Sequence, residues 1–187
     1  MNNLSSVLAG TNAQKNGAAF EKLVSNLSDI YGFKTINFKE YKRCYRRYEA
    51  FKKLIVTQPV CLDYFKRKKT GRQDMLIRIE NHKETFSSSY FEVTKNSGRN
   101  PLLEVCVQCK SQMTKGSVDE KIAAFVLNLL YNKIEQKNVI FLHIGKGIRD
   151  CFTDALEELS VELKRKETYN LKVMNLLEFN SWIKETV

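Results

Sequence analysis

The sequence predicts an α/β/α sandwich on a central mixed sheet, carrying a basic helical insertion. Three observations carry this. Segments whose apolar residues recur with helical period alternate along the chain with segments of period two. The stretch NVIFLHI at residues 138 to 144 is a continuous apolar run, as a parallel strand buried on both faces requires. Finally, PLLEVCVQCKSQMTKGSVDEKI at residues 101 to 122 sets charged and amide side chains into the end of an apolar strand, then passes through a turn into a helix.

The elements follow in order. Phe20, Leu23, Val24, Leu27, Ile30 and Tyr31 form a helical stripe that Gly32 stops. Tyr41, Cys44, Tyr45, Tyr48, Phe51 and Ile55 form a second stripe whose other side carries Lys42, Arg43, Arg46, Arg47, Lys52 and Lys53. This is read as a basic amphipathic helix within an insertion spanning about residues 38–70. Met75, Ile77 and Ile79 alternate in a strand that begins near Asp74. FSSSYFEVT (86–94) reads as a further short strand, with turn chemistry in KNSGRNP before the strand at 102–110. In that strand Leu103, Val105, Val107 and Cys109 point one way, and Glu104, Cys106, Gln108 and Lys110 the other. Ser117 and Glu120 then make a capping box for a helix through Ile122, Phe125, Val126, Leu129 and Leu130. After the 138–144 strand come a helix at 149–165, a strand from Leu171 to Met174, and a closing helix from Leu176 to Lys184 with Trp182 on its apolar side.

At 187 residues and 43% hydrophobic content the chain suits a single domain, 1–187, with one core. It has no apolar run of the roughly 18 to 20 residues a membrane helix needs, and MNNLSSVLAG lacks the layout of a signal peptide. The expectation is a soluble cytoplasmic protein with no membrane partner. Five cysteines at irregular spacing read as reduced thiols.

The charge is concentrated. Residues 39–72 hold twelve lysines and arginines against three acids, a net +9 of the formal +10. Such a field suits a polyanion, although a charge run is by itself more often a solvated surface. This one leads directly into Asp74, which favours nucleic acid.

Three motifs, GAAFEKLV (17–24), GRQDMLI (71–77) and the 101–122 segment, together resemble the PD-(D/E)XK nuclease superfamily. Asp74 stands where that family has its first strand carboxylate. Gln108, Cys109 and Lys110 stand at its (D/E)-x-K as a QxK variant, and Glu21 matches a helical glutamate seen in many members. Lys110, Gln112, Gly116, Ser117, Glu120, Lys121 and Ile122 are similar to the continuation found in some restriction-type branches. The chain departs from the pattern at Gln73, in place of proline, and at Gln108, in place of an acid.

The resemblance implies the restriction-endonuclease-like form of the sandwich and a Mg²⁺-dependent DNA endonuclease, with Mn²⁺ as a possible substitute. It implies that the metal is held by Asp74, Gln108 and the backbone carbonyl of Cys109, while Lys110 acts on the attacking water. Gln108 contributes no charge, so another carboxylate is expected nearby. Glu21 is the first choice and Glu120 the alternative, although capping alone would explain Glu120. Glu104 lies about 13 Å along the strand from Gln108, too far to share its ion. Phosphate contacts are expected from Lys42, Arg43, Arg46, Arg47, Lys66, Arg67, Lys68, Lys69 and Arg72.

A type II restriction enzyme, or the nuclease subunit of a larger complex, is the leading expectation, acting on double-stranded DNA as a homodimer with a possible cognate methyltransferase. The alternatives are a structure- or modification-selective nuclease of the resolvase or Mrr kind, and a catalytically inactive nucleic-acid-binding module. Other chemistry is weaker. Cys106 and Cys109 are three apart on one strand and so face opposite ways, which argues against zinc. His82 and His143 are lone histidines read as structural, and GKG at 145–147 lacks P-loop spacing.

Overall fold

The computed structural model describes residues 13–44, 51–60, 73–80, 102–111, 119–132, 134, 136–144, 148 and 150–186. Eleven elements occur among them: α1 (Ala13–Tyr31), β1 (Lys34–Asn37), α2 (Phe38–Arg43), β2 (Lys53–Val60), β3 (Gln73–Glu80), β4 (Leu102–Ser111), α3 (Asp119–Leu130), β5 (Asn138–Ile144), α4 (Asp150–Arg165), β6 (Asn170–Asn175) and α5 (Leu176–Thr186). The six strands form one sheet in sequence order. β1 and β2 run parallel, β2, β3 and β4 form an antiparallel meander, and β4, β5 and β6 run parallel. The sheet is therefore mixed, as expected.

Alternation along the strands divides the core into two layers. Leu54, Val56, Leu76, Cys106, Val139 and Phe141 pack on one face, against Tyr41 of α2, Ile122, Phe125 and Leu129 of α3, and Leu156 and Leu163 of α4. Ile55, Met75, Ile77, Val105, Val107, Ile140 and Leu142 fill the other, against Val24 and Leu27 of α1 and Phe179, Trp182 and Ile183 of α5. This is an α/β/α sandwich. Crossovers β4–α3–β5 and β5–α4–β6 join parallel neighbours, and crossovers of one hand put both helices on the same face. The Phe125 and Phe141 rings, 5.3 Å apart, tie α3 to β5 there. Full burial of a side chain such as Phe141 contributes about 1.5–3 kcal/mol.

The ends of the helices have local causes. Gly32 adopts φ 71°, and the Phe33 N–H donates to the Ser28 carbonyl at 2.9 Å, closing α1 with a Schellman turn. Asn175 caps α5. Its Oδ1 accepts from the N–H groups of Leu177 and Glu178, and Glu178 Oε2 accepts from the Asn175 N–H at 2.7 Å.

One part of the sequence reading is corrected. Ile55 belongs to β2, where it pairs with Ile77, so the helical stripe from Tyr41 to Ile55 does not continue as one helix. The helix is short, α2, and Tyr41 is buried as expected while Lys42 and Arg43 are exposed. Pairing on both sides, with β1 and β3, overrides the helical spacing of a short apolar run. The strand read at 86–94 lies outside the described residues. No helix among the described residues is long and apolar enough to cross a membrane.

Candidate active site

On the face shared with α2, α3 and α4, the β3–β4 pair presents three cross-strand couples. The register sets Leu76 against Cys106 and Arg78 against Glu104, and one further step brings Asp74 opposite Gln108. The middle couple is core and the outer two are polar. At one end the buried Arg78 lies 3.6 Å from Glu104 and 3.8 Å from Glu80, so Glu104 is engaged in an ion pair, away from the Asp74 end.

At the other end two hydrogen bonds and an ion pair converge on one oxygen. Asp74 Oδ2 accepts from Gln108 Nε2 and from the Cys109 N–H at 2.7 Å, and Lys110 Nζ lies 3.6 Å away. Asp74 opens β3 and Gln108 to Lys110 lie near the end of β4, so antiparallel pairing alone brings residues 34 to 36 positions apart together. A bulge sits alongside, where β2 takes three steps from Thr57 to Val60 while β3 takes two from Met75 to Gln73. Pro59 lies in this irregular stretch, where its missing N–H does least harm to the ladder.

Burial grades the site. The Lys110 side chain is 15% exposed and that of Asp74 is 39% exposed, so the carboxylate reaches solvent while the ammonium is largely enclosed. Oδ2 receives all three contacts, and Oδ1 receives none of them. A strand residue directs its N–H and C=O toward the same neighbouring strand. The Cys109 N–H meets Asp74, so the Cys109 carbonyl faces the same side.

These atoms suit a hard cation. Asp74 Oδ1, the Cys109 carbonyl and, with its amide turned over, Gln108 Oε1 are oxygen donors of the kind Mg²⁺ takes. The turned amide would set two acceptors against each other at the Asp74–Gln108 contact, an arrangement that becomes favourable with a cation between them. Charge is the weaker side of the fit. Asp74 and Lys110 cancel and Gln108 is neutral, and among the described residues no three His, Cys, Asp or Glu side chains cluster as a metal site.

The other residues singled out in the sequence are partly described. The side chains of Glu21 and Glu120 lie outside the described residues. Their helices differ: α1 packs on the face opposite Asp74, and α3 on the same face. Of the basic residues, Lys42 and Arg43 are described, with the Lys42 ammonium 5.5 Å above the Phe38 ring. Arg46, Arg47, Lys66, Arg67, Lys68, Lys69 and Arg72 lie outside, as do His82 and the GKG at 145–147. Cys106 is buried on the Asp74 face and Cys109 packs against the opposite cluster, so the two thiols do diverge. Burial pushes the Cys109 thiol far up, and Asp74 adds to this against a smaller pull from Lys110, leaving it protonated.

One neighbour escaped the sequence reading. Lys110 pairs across the parallel ladder with His143, on the same face. The signal was a single imidazole in an apolar run, but the register that gives it meaning is set by distant pairing.

No curated protein and no solved structure matches the chain significantly. A family model described as a PD-(D/E)XK nuclease superfamily domain does, over residues 12–187. With this match over nearly the whole chain and a mixed α/β/α fold, the chain belongs to the PD-(D/E)XK nuclease superfamily.

Proposed function

We propose that this nuclease domain is a Mg²⁺-dependent DNA endonuclease, and that its role is that of a type II restriction enzyme or the nuclease subunit of one. The observation that carries the reading is the convergence of Gln108, Cys109 and Lys110 on Asp74 at one end of the central β3–β4 pair. Hydrolysis forms a bond from a water oxygen to phosphorus, breaks the bond from phosphorus to the 3′ oxygen, and leaves a proton on that oxygen. Asp74, Gln108 and the Cys109 carbonyl would hold Mg²⁺, for which Mn²⁺ can substitute. When bound, the cation supplies positive charge at the phosphate oxygens and acidifies water beside them. Lys110 orients the attacking water and offsets the negative charge that develops on the phosphate.

Neutral Gln108 requires a further acid. Glu120 is supported by α3 lying on the same sheet face as Asp74. Glu21 belongs to α1, which covers the opposite face.

The basic stretch supplies affinity for double-stranded DNA, with Lys42 and Arg43 exposed on α2, on the face of the sheet that holds the site. Binding is expected to weaken steeply with salt, with a slope of log K against log[salt] of about −0.9 per phosphate contact. A flat response in a fluorescence-anisotropy titration would remove the basic stretch from the reading. Two sites cutting two strands favour a homodimer on a palindromic target, protected in the host by a methyltransferase.

The restriction role is tested by incubating supercoiled and linear duplex DNA with protein and Mg²⁺ and mapping the ends. Fragments ending at one repeated sequence support it. Cutting without sequence preference, or only of branched or methylated DNA, sinks it and leaves the endonuclease standing.

A further inference from the structure

β5 is buried along its whole length except at His143, which is half-buried beside the site. Its parallel partner on β4 is Lys110, and its partner on β6 is Asn175. Parallel partners point to the same face with their strands about 4.8 Å apart, so His143 and Lys110 are lateral neighbours, with the ammonium leaning to the other side, 3.6 Å from Asp74 on β3. This face carries Asp74 and Gln108 as well, and the row lies toward the carboxyl ends of β4, β5 and β6, where open α/β sheets place ligands.

We infer that His143 is a positioning residue for Lys110: a ring nitrogen accepts from the ammonium and holds it toward the reacting phosphate instead of letting it collapse onto Asp74. Three features of the site favour such a second acceptor. The Lys110 ammonium has three protons, and Asp74 Oδ2, at 3.6 Å, is beyond hydrogen-bond reach. Oδ2 is already occupied by Gln108 and Cys109. A cation drawing on Asp74 would compete with Lys110 for the same carboxylate, and Lys110 needs somewhere else to sit.

A neutral imidazole suits this task better than a carboxylate. A carboxylate would lock the ammonium in an ion pair, whereas imidazole holds it and releases it. Burial keeps His143 below its ordinary pKa, partly offset by Glu178 of α5 and Glu157 of α4. The neutral form is therefore favoured in the folded state. As pH falls through the imidazole range, protonation sets a cation beside Lys110, and the stability held above that range is lost.

The catalytic consequence rests on the nuclease reading, so the test has one readout that needs cleavage and one that does not. His143→Phe keeps the ring volume without an acceptor, and His143→Gln keeps an acceptor. His143→Phe is expected to lower kcat about 10²-fold with KM within about threefold, and His143→Gln is expected to recover most of that loss. His143→Gln should also flatten the acid limb of the pH–rate profile. Independently, in free protein without cation or DNA, the imidazole ¹⁵N resonances are compared between the wild type and Lys110→Met. A changed acceptor nitrogen and a raised imidazole pKa in Lys110→Met support the contact. Unaltered ¹⁵N shifts, or an unimpaired His143→Phe, overturn it. If the wild type cleaves nothing, the nuclease reading has failed and the ¹⁵N comparison alone decides the contact.

Discussion

Asp74→Asn is expected to reduce cleavage by about 10³-fold or more while leaving the fold intact. The asparagine oxygen can still accept the Cys109 N–H that now meets Asp74 Oδ2 at 2.7 Å, so the end of β4 keeps its backbone partner. What is lost is the charge. Asp74 is the acid of the described cluster, and without it the described side chains there leave the Lys110 ammonium uncompensated, which repels a cation. A neutral amide also offers a hard divalent ion a weaker ligand. The side chain is 39% exposed, so the stability lost with the ion pair should be small, under about 1 kcal/mol. Initial rates at saturating Mg²⁺, beside thermal unfolding curves, check both halves. Activity within tenfold of wild type would falsify the assignment of Asp74 to the reaction.

Gln108→Glu should act in the opposite direction on cation affinity. Gln108 Nε2 donates to Asp74, so the amide is itself a partner in the cation-free site. A glutamate there sets two carboxylates against each other, and one of them must rise in pKa. A carboxyl raised in the folded state contributes stability below its unfolded pKa and loses it as pH rises, so the cation-free variant should be less stable than wild type at pH 7 and recover toward about pH 4. With a divalent ion between the carboxylates the sign reverses. Cation affinity should rise about tenfold or more, because one added charge at a few ångströms outweighs the lost hydrogen bond. Titration calorimetry with Mg²⁺ measures this directly. The same titration on Glu120→Gln and Glu21→Gln identifies the further acid, since loss of a ligand weakens binding and loss of a cap does not. Unchanged affinity in Gln108→Glu would remove Gln108 from the cation site.

Much of the sheet was legible because its strands are short-period patterns with strong outcomes. Met75, Ile77 and Ile79 in β3, Leu103, Val105 and Val107 in β4, and the run from Val139 to Leu142 in β5 could not be buried in any other way. β2 was not legible. Leu54, Ile55 and Val56 are three consecutive buried residues, and the spacing from Tyr41 through Cys44 to Ile55 imitates a helix until pairing with β1 and β3 is known. Pro59 stands where the β2 register against β3 shifts, beyond the last residue paired with β1.

The site divides in the same way. Asp74, Gln108 and Lys110 could be named because the resemblance picks out residue types at set spacings. Their convergence on one carboxylate oxygen depends on the β3–β4 register, which no local pattern encodes. His143 shows this most clearly: its identity is plain in the sequence, and its neighbour Lys110 is visible only through the parallel ladder.

Metal-dependent cleavage of DNA at this cluster is measured with supercoiled plasmid incubated with the wild type and with Lys110→Ala across a Mg²⁺ titration, with EDTA as control. Nicked and linear product is expected to rise with Mg²⁺ in the wild type and to disappear in EDTA and in the variant, while the variant still binds the plasmid. Cleavage by the wild type in EDTA, or equal cleavage by Lys110→Ala, would contradict this.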